Sequence, residues 1–363
     1  MTRRWCRAFL AGLVVAAMVG CASDDSSGSS DGTGTSASGE VADTEGSATS
    51  TVPPMEPTSS AAVSVDPPDS GLSIDAWETA PSLLFPRAAH GVVTTDDAIY
   101  VLGGIGENRA PLLPVERFDG VEWTVITTLP GEGVNAPSVA EIDGTIYVIG
   151  GFATTSNTPT DEVHAFHIAS STWSSVAPLP SPSGGHAAVV LDGRIHVVGG
   201  GTSKSTIADH VVYDPATDTW SSAAALSRAK GSPAVAVLDG RIWAIGGRSG
   251  RDDFGDVEIY DPATDAWLVG PEIEARGNAG AVAVCGTIVV AGGQQQRDSM
   301  VIGEVVVLDG HTWRPLAPLS TARAFARTVL FGDAIYVVGG SAEFDQSHAT
   351  PGSGAVEFTT PTC

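Results

Sequence analysis

The chain has 363 residues, 42% of them hydrophobic, and a formal net charge of −24 from 18 basic and 42 acidic groups. A balance so acidic argues against nucleic acid and against charge-driven docking on anionic lipid, since both carry the same sign of charge.

Residues 1–20 read as an export signal. Arg3, Arg4 and Arg7 give a positive start, and the run from Ala8 to Val19 is apolar but too short to span a bilayer stably. The run stops at MVGC, with Gly20 just before Cys21. This resembles a bacterial lipoprotein lipobox, with Met18 where leucine is commoner. The resemblance implies cleavage before Cys21, lipidation of its thiol and acylation of the new N-terminus, and several acyl chains on one residue anchor stably. An ordinary secretion signal, with Cys21 incidental, is the alternative. Export places the protein in a bacterial cell envelope, on the outer side of the cytoplasmic membrane or in an outer membrane.

Residues 21–74 form the expected tether. Residues 22 to about 74 hold Ser, Thr, Gly, Asp, Glu and Pro, with no aromatic residue, Lys or Arg. Such a composition buries too little apolar surface to order itself. Loss of the three signal arginines takes the formal charge from −24 to −27.

From 75 to 363 a single pattern repeats. A short hydrophobic run closes on a glycine pair six times: Gly103–Gly104, Gly150–Gly151, Gly199–Gly200, Gly246–Gly247, Gly292–Gly293 and Gly339–Gly340. Successive pairs are 47, 49, 47, 46 and 47 residues apart. Each follows a tryptophan by 25 to 27 residues: Trp77, Trp123, Trp173, Trp220, Trp267 and Trp313. In the fourth repeat, SPAVAVL reads as a buried strand and Asp239–Gly240 as a tight hairpin turn. RIWAIGG is the second strand, and VEIYD is a third strand leading to an Asp261–Pro262 turn. A repeat of this length built of four short strands predicts an all-β fold, a β-propeller with one blade per repeat. The last repeat has three strands and no tryptophan after it, so the Trp77 segment is expected to supply the fourth and close a six-bladed ring.

With its double glycine, downstream aromatic strand and spaced tryptophan, this repeat resembles the kelch family over about 280 residues. The resemblance implies a kelch propeller, a group that includes the galactose-oxidase central domain. An oxidase copper site needs two Tyr, two His and a Cys cross-linked to Tyr. Tyr100, Tyr147, Tyr213, Tyr260 and Tyr336 all sit at repeated strand positions, so oxidase activity does not carry over. Some bacterial six-bladed kelch proteins are sialic-acid mutarotases that use polar and basic channel residues. A carbohydrate mutarotase or epimerase is therefore the second functional reading, although no matching catalytic motif is present.

Candidate sites are few. The tryptophans and glycine pairs are structural, each tryptophan packing between blades. Cys285 replaces Asp in the fifth hairpin and Cys363 follows the last strand on the same face, leaving two readings, a disulfide across the seam or two free thiols. The variable loops after each glycine pair are where recognition is expected. Arg87, Arg109, Arg228, Arg248, Arg251, Arg276, Arg297 and Arg323 lie on or near that face. Arg87, Arg248, Arg276 and Arg323 are the candidates for a shared anion-binding rim, against the alternative that each pairs with an acid. His90 and His186, each thirteen residues after a Trp, are candidate channel residues, with no third ligand for a metal. No metal or cofactor is expected. The expected function is that of a lipid-anchored, non-enzymatic binding module for a protein or an envelope glycan.

Overall fold

A computed structural model describes residues 71–343 and 352–363. The expected signal at 1–20, the lipidation site at Cys21 and the tether as far as residue 70 lie outside the described residues.

Six antiparallel four-stranded sheets form the blades. Blade one runs Gly91–Thr94, Ile99–Leu102, Pro114–Phe118 and Trp123–Thr128. Blades two to five repeat that order from inner to outer strand, beginning at Ser138, Ala187, Ala234 and Gly280. Blade six takes Arg327–Phe331, Ala334–Val338 and Val356–Thr359, and its outer strand is Glu78–Ala80 from the start of the ring. Glu78 pairs with Phe358 and Ala80 with Val356, which is the expected N-terminal closure.

The inner hairpins turn as their sequence demands. Asp143–Gly144, Asp192–Gly193, Asp239–Gly240 and Cys285–Gly286 all have positive φ at both residues, the turn whose twist matches the flanking strands. The folded unit begins slightly before residue 75. Leu72 and Ile74 are buried in the core between blades five and six, and Ser73 bridges to Thr362. The short tail also carries Cys363, bonded to Cys285 with Cα atoms 5.6 Å apart.

Apolar cores lie between blades rather than within them. Blades four and five share one continuous cluster around Trp243, Ile288, Val290 and Leu308. Every repeat tryptophan stitches its blade to the one before it. The indole N–H of Trp77 donates to Ala317 O (2.9 Å), Trp123 to Pro81 O (2.8 Å), and Trp220 to Ala177 O (2.9 Å). Trp267 donates to Ala224 O, Trp313 to Pro271 O, and Trp173 to the Thr127 hydroxyl.

Candidate functional site

The glycine pairs and the crossover segments build the mouth of the channel together. The second glycine of each pair donates its N–H to the crossover that enters the next blade, at Val134, Ser183, Lys230, Arg276, Arg323 and Arg87 in turn (2.8–3.0 Å). Gly199 shows why glycine is required: φ is +65°, and a Cβ there would lie 2.4 Å from Lys230 O. Two residues past each acceptor, the backbones join in a closed ring. Ala89 donates to Phe325, Phe325 to Asn278, Asn278 to Ser232, Ser232 to Gly185, Gly185 to Ala136 and Ala136 to Ala89, at 2.7–3.3 Å. All six ring residues have positive φ. Five of them are not glycine, and such left-handed residues persist only where the surroundings hold them.

The arginines of the expected rim are mostly elsewhere. Arg87 is fully buried and pairs with buried Glu116 at 2.6 Å, while also donating to Gly103 O at 2.9 Å. Arg323 pairs with Glu357 and donates to Gly339 O; Arg276 pairs with Glu304 at 2.6 Å and donates to Gly292 O. Lys230 fills the same position in blade four, bridging Asp256 at 2.5 Å and Glu258 at 3.0 Å. Each of the three glutamates Glu116, Glu258 and Glu357 also accepts a crossover N–H, from Leu84, Ser227 and Ser320. Arg87, Arg276 and Arg323 are thus committed inside the blades and do not converge on a ligand; the ion-pair alternative describes them. The sequence signal for this was the co-occurrence, within one repeat, of a crossover cation and a glutamate on or just before the third strand.

His90 and His186 are buried against the glycine pairs. A Cβ on Gly339 would lie 2.6 Å from His90 Cε1, and one on Gly150 would lie 2.9 Å from His186 Nε2. Burial holds His90 well below the usual imidazole range and lowers His186 to about 4, so both are neutral. The Ser138 hydroxyl contacts His186 Nδ1 and donates to His186 O at 2.9 Å. Neither histidine reaches the mouth. Among the described residues no group of three His, Cys, Asp or Glu could hold a metal ion.

What does open at the mouth is a cavity of about 400 Å³ over the ring, on the loops of blades one to four. Its charged lining residues among the described residues are Arg109, Lys204 and Arg248, with no carboxylate among them. Arg248 is half-buried beside Asp253, and burial lowers its affinity for a proton more than that carboxylate raises it. Arg109 donates to the Asn157 amide oxygen at 3.2 Å. Lys204 is exposed on a turn whose Thr202 hydroxyl accepts the N–H groups of Lys204 and Ser205. Phe152 and Phe325 supply apolar faces, and Gly184 has no side chain because a Cβ would sit 2.6 Å from the Phe152 ring. Buried Asn135 presents an amide oxygen that no protein donor meets. Of the expected rim, Arg248 alone lies here, joined by Arg109. Lys204 carried no sequence signal beyond being one of two lysines in the folded part.

A kelch-repeats domain model described as KLHDC2/KLHL20/DRC7 matches residues 70–230, and the kelch motif matches residues 230–273 and 275–320. Kelch-like protein 38 of Homo sapiens is 30% identical over 146 residues, covering 40% of this chain and 24% of that protein. Kelch-like protein 35 of Mus musculus is 34% identical over 144 residues, covering 39% and 24%. Beta-scruin of Limulus polyphemus is 27% identical over 157 residues, covering 40% and 17%. The chain therefore spans about a quarter or less of the length of these relatives. The solved structure of YjhT superposes with a TM-score of 0.66 at 18% identity, covering 76% of this chain and 94% of that one, a likeness of fold. The blades, their closure and these matches agree: the folded part of the chain is a six-bladed β-propeller of kelch type.

Proposed function

We propose that the protein is an exported, lipid-anchored binding module whose mouth recognises an acidic partner, either a carboxylated envelope glycan or an acidic segment of a protein. Kelch propellers serve generally as protein-interaction modules, and the repeats put this chain among them. The observation that carries the acidic partner is the 400 Å³ mouth lined by Arg109, Lys204 and Arg248, with no carboxylate among the described residues, on a chain of net charge −24. A local positive site in a negative field selects its ligand by charge, and guanidinium groups match a carboxylate with two donors. The two phenylalanines give a sugar ring or an aliphatic stem a surface to lie on. The lipobox at Cys21 and the tether after it support display of this mouth away from a membrane.

Binding rather than epimerisation is favoured by the lining. Among the described residues it offers no carboxylate or imidazole to take a proton from a sugar carbon or hydroxyl at neutral pH. Calorimetry and glycan arrays with matched acidic and neutral oligosaccharides, together with poly-glutamate peptides, test the reading. Acidic ligands are expected to bind, and K204E combined with R109E to weaken them at least tenfold. Equal binding of neutral ligands, or an unaffected double variant, would overturn it.

A further inference from the structure

Below the backbone ring, the channel between the inner strands holds a second cavity of about 120 Å³. Its one permanently charged lining group among the described residues is Arg327, at the start of the inner strand of blade six. The corresponding inner-strand residues are those paired with the last residue before each glycine pair. They are Gly91, Ser138, Ala187, Ala234 and Gly280, all small, whereas blade six has Arg327 opposite Val338. Five small residues leave the channel room for one long side chain.

Arg327 differs from the other inward cations in its company. Arg87, Lys230, Arg276 and Arg323 each have a carboxylate within 3.0 Å. Among the described residues Arg327 forms no ion pair, and its hydrogen bond there is a long one, 3.4 Å from Nη1 to Ala326 O. Its charge is felt at both His90 and His186, which belong to blades one and three, so the guanidinium reaches into the shared channel. The same cavity is lined by Thr328, whose buried hydroxyl has no protein partner. A half-buried guanidinium without a counter-charge still carries a desolvation cost, and natural proteins pair such groups.

We propose that the channel is a binding site for one small inorganic anion, of halide size, held by the Arg327 guanidinium with the Thr328 hydroxyl beside it. The volume supports that size. At roughly 30 Å³ per water, the cavity holds about four waters' worth of matter, enough for a halide with part of its shell and too little for a sugar. Arg327 thereby gains its missing counter-ion, and the anion ties blade six to the blades across the channel.

Thermal unfolding of the full chain in sodium chloride, sodium bromide and sodium gluconate at equal ionic strength tests this, since gluconate is too large to enter. The wild type is expected to gain several degrees in Tm, saturably, in either halide over gluconate, while R327A shows no difference between the salts. R327A is expected to remain folded, because blades three and four already carry alanine there. A bromide-soaked crystal is expected to show an anomalous peak within hydrogen-bond distance of Arg327. Parallel salt responses of wild type and R327A, or no such peak in molar bromide, would overturn the proposal.

Discussion

Blades one, four, five and six differ from blades two and three in what occupies the crossover that enters each blade. In the first group a buried Arg or Lys meets an acid on the third strand or, for Arg276, Glu304 just before that strand, and each of the three arginines also caps the carbonyl of the first glycine of its own pair. In blades two and three the cation becomes Val134 and Ser183, and the strand glutamate becomes His164 and Val211. In these two blades the cation and the glutamate at the strand position are both replaced, whereas blade five has Val306 at that position and pairs its cation with Glu304 instead. In blade two the site is replaced by a surface cavity of about 270 Å³ lined by Val134, Glu162 and His164. The seam between blades three and four is also interrupted. Its apolar contacts fall into two small clusters, around Leu191 and Val198, and a buried His196–His210 pair (2.9 Å) lies against the rings of Tyr260 and Trp267. One scaffold geometry is thus held by ion pairs on one side and by neutral imidazoles on the other. The mouth takes its loops from both, blades one and four from the first group and blades two and three from the second.

The sharpest way to break this contrast is E116A, which strands Arg87 in the interior. An uncompensated buried charge costs about 3–5 kcal/mol, read as a lower midpoint in denaturant. E162A removes the exposed partner of His164 in blade two and is expected to cost less than about 1 kcal/mol. Equal losses in the two variants would show that the buried pairs contribute nothing special.

A transplant probes the same difference from the other side. V134R alone places a cation where blade two has no strand glutamate and is expected to destabilise. Adding H164E is expected to recover part of the loss, with a coupling of about 0.5–3 kcal/mol in a double-mutant cycle. Additive single effects would mean that blade two cannot adopt the arrangement of its neighbours.

The third test is pH. Burial lowers His186 and His196 to about 4, below the ordinary 6.5, with the neighbouring His210 also lowered. The unfolded chain then binds more protons than the native one between those values. Stability is therefore fully present above about pH 6.5 and is lost as pH falls toward 4. The loss is expected first around these histidines, as faster amide exchange in blades three and four, and beside the likewise lowered His90 in blade one, at pH 5 than at pH 7. H196Q is expected to shrink that change by removing one of the titrating groups. Uniform acid sensitivity across all six blades would remove the distinction.

The architecture was legible because tryptophan and paired glycine recur wherever a blade recurs, and the missing seventh tryptophan marked the closing strand. The roles of Arg87, Arg276 and Arg323 were not legible from position alone. Periodicity places a residue on a crossover but does not say whether its side chain points to solvent or back under the sheet. That direction is decided by Glu116, Glu304 and Glu357, some thirty residues further along the chain. The mouth was only partly visible. Arg109 and Arg248 were among the candidates, but Lys204, Asn135 and Phe325 come together through the ring of backbone bonds, a feature of conformation with no residue type of its own. Asn278, Ser232 and Phe325 share a left-handed backbone and little else.

The closing strand has a consequence in time. Hairpins inside each blade join residues close in sequence, whereas the seam of blade six joins residues such as Ala76 and Thr359, 283 apart. Contacts so distant require a long loop to close before they return any energy, so they form late. Five blades and most of the sixth can assemble while the ring remains an open crescent with one bare strand edge. Until the chain's own Glu78–Ala80 arrives, that edge accepts the same segment from a second molecule equally well. At high concentration during refolding, the expected side product is a strand-exchanged dimer joined through blade six.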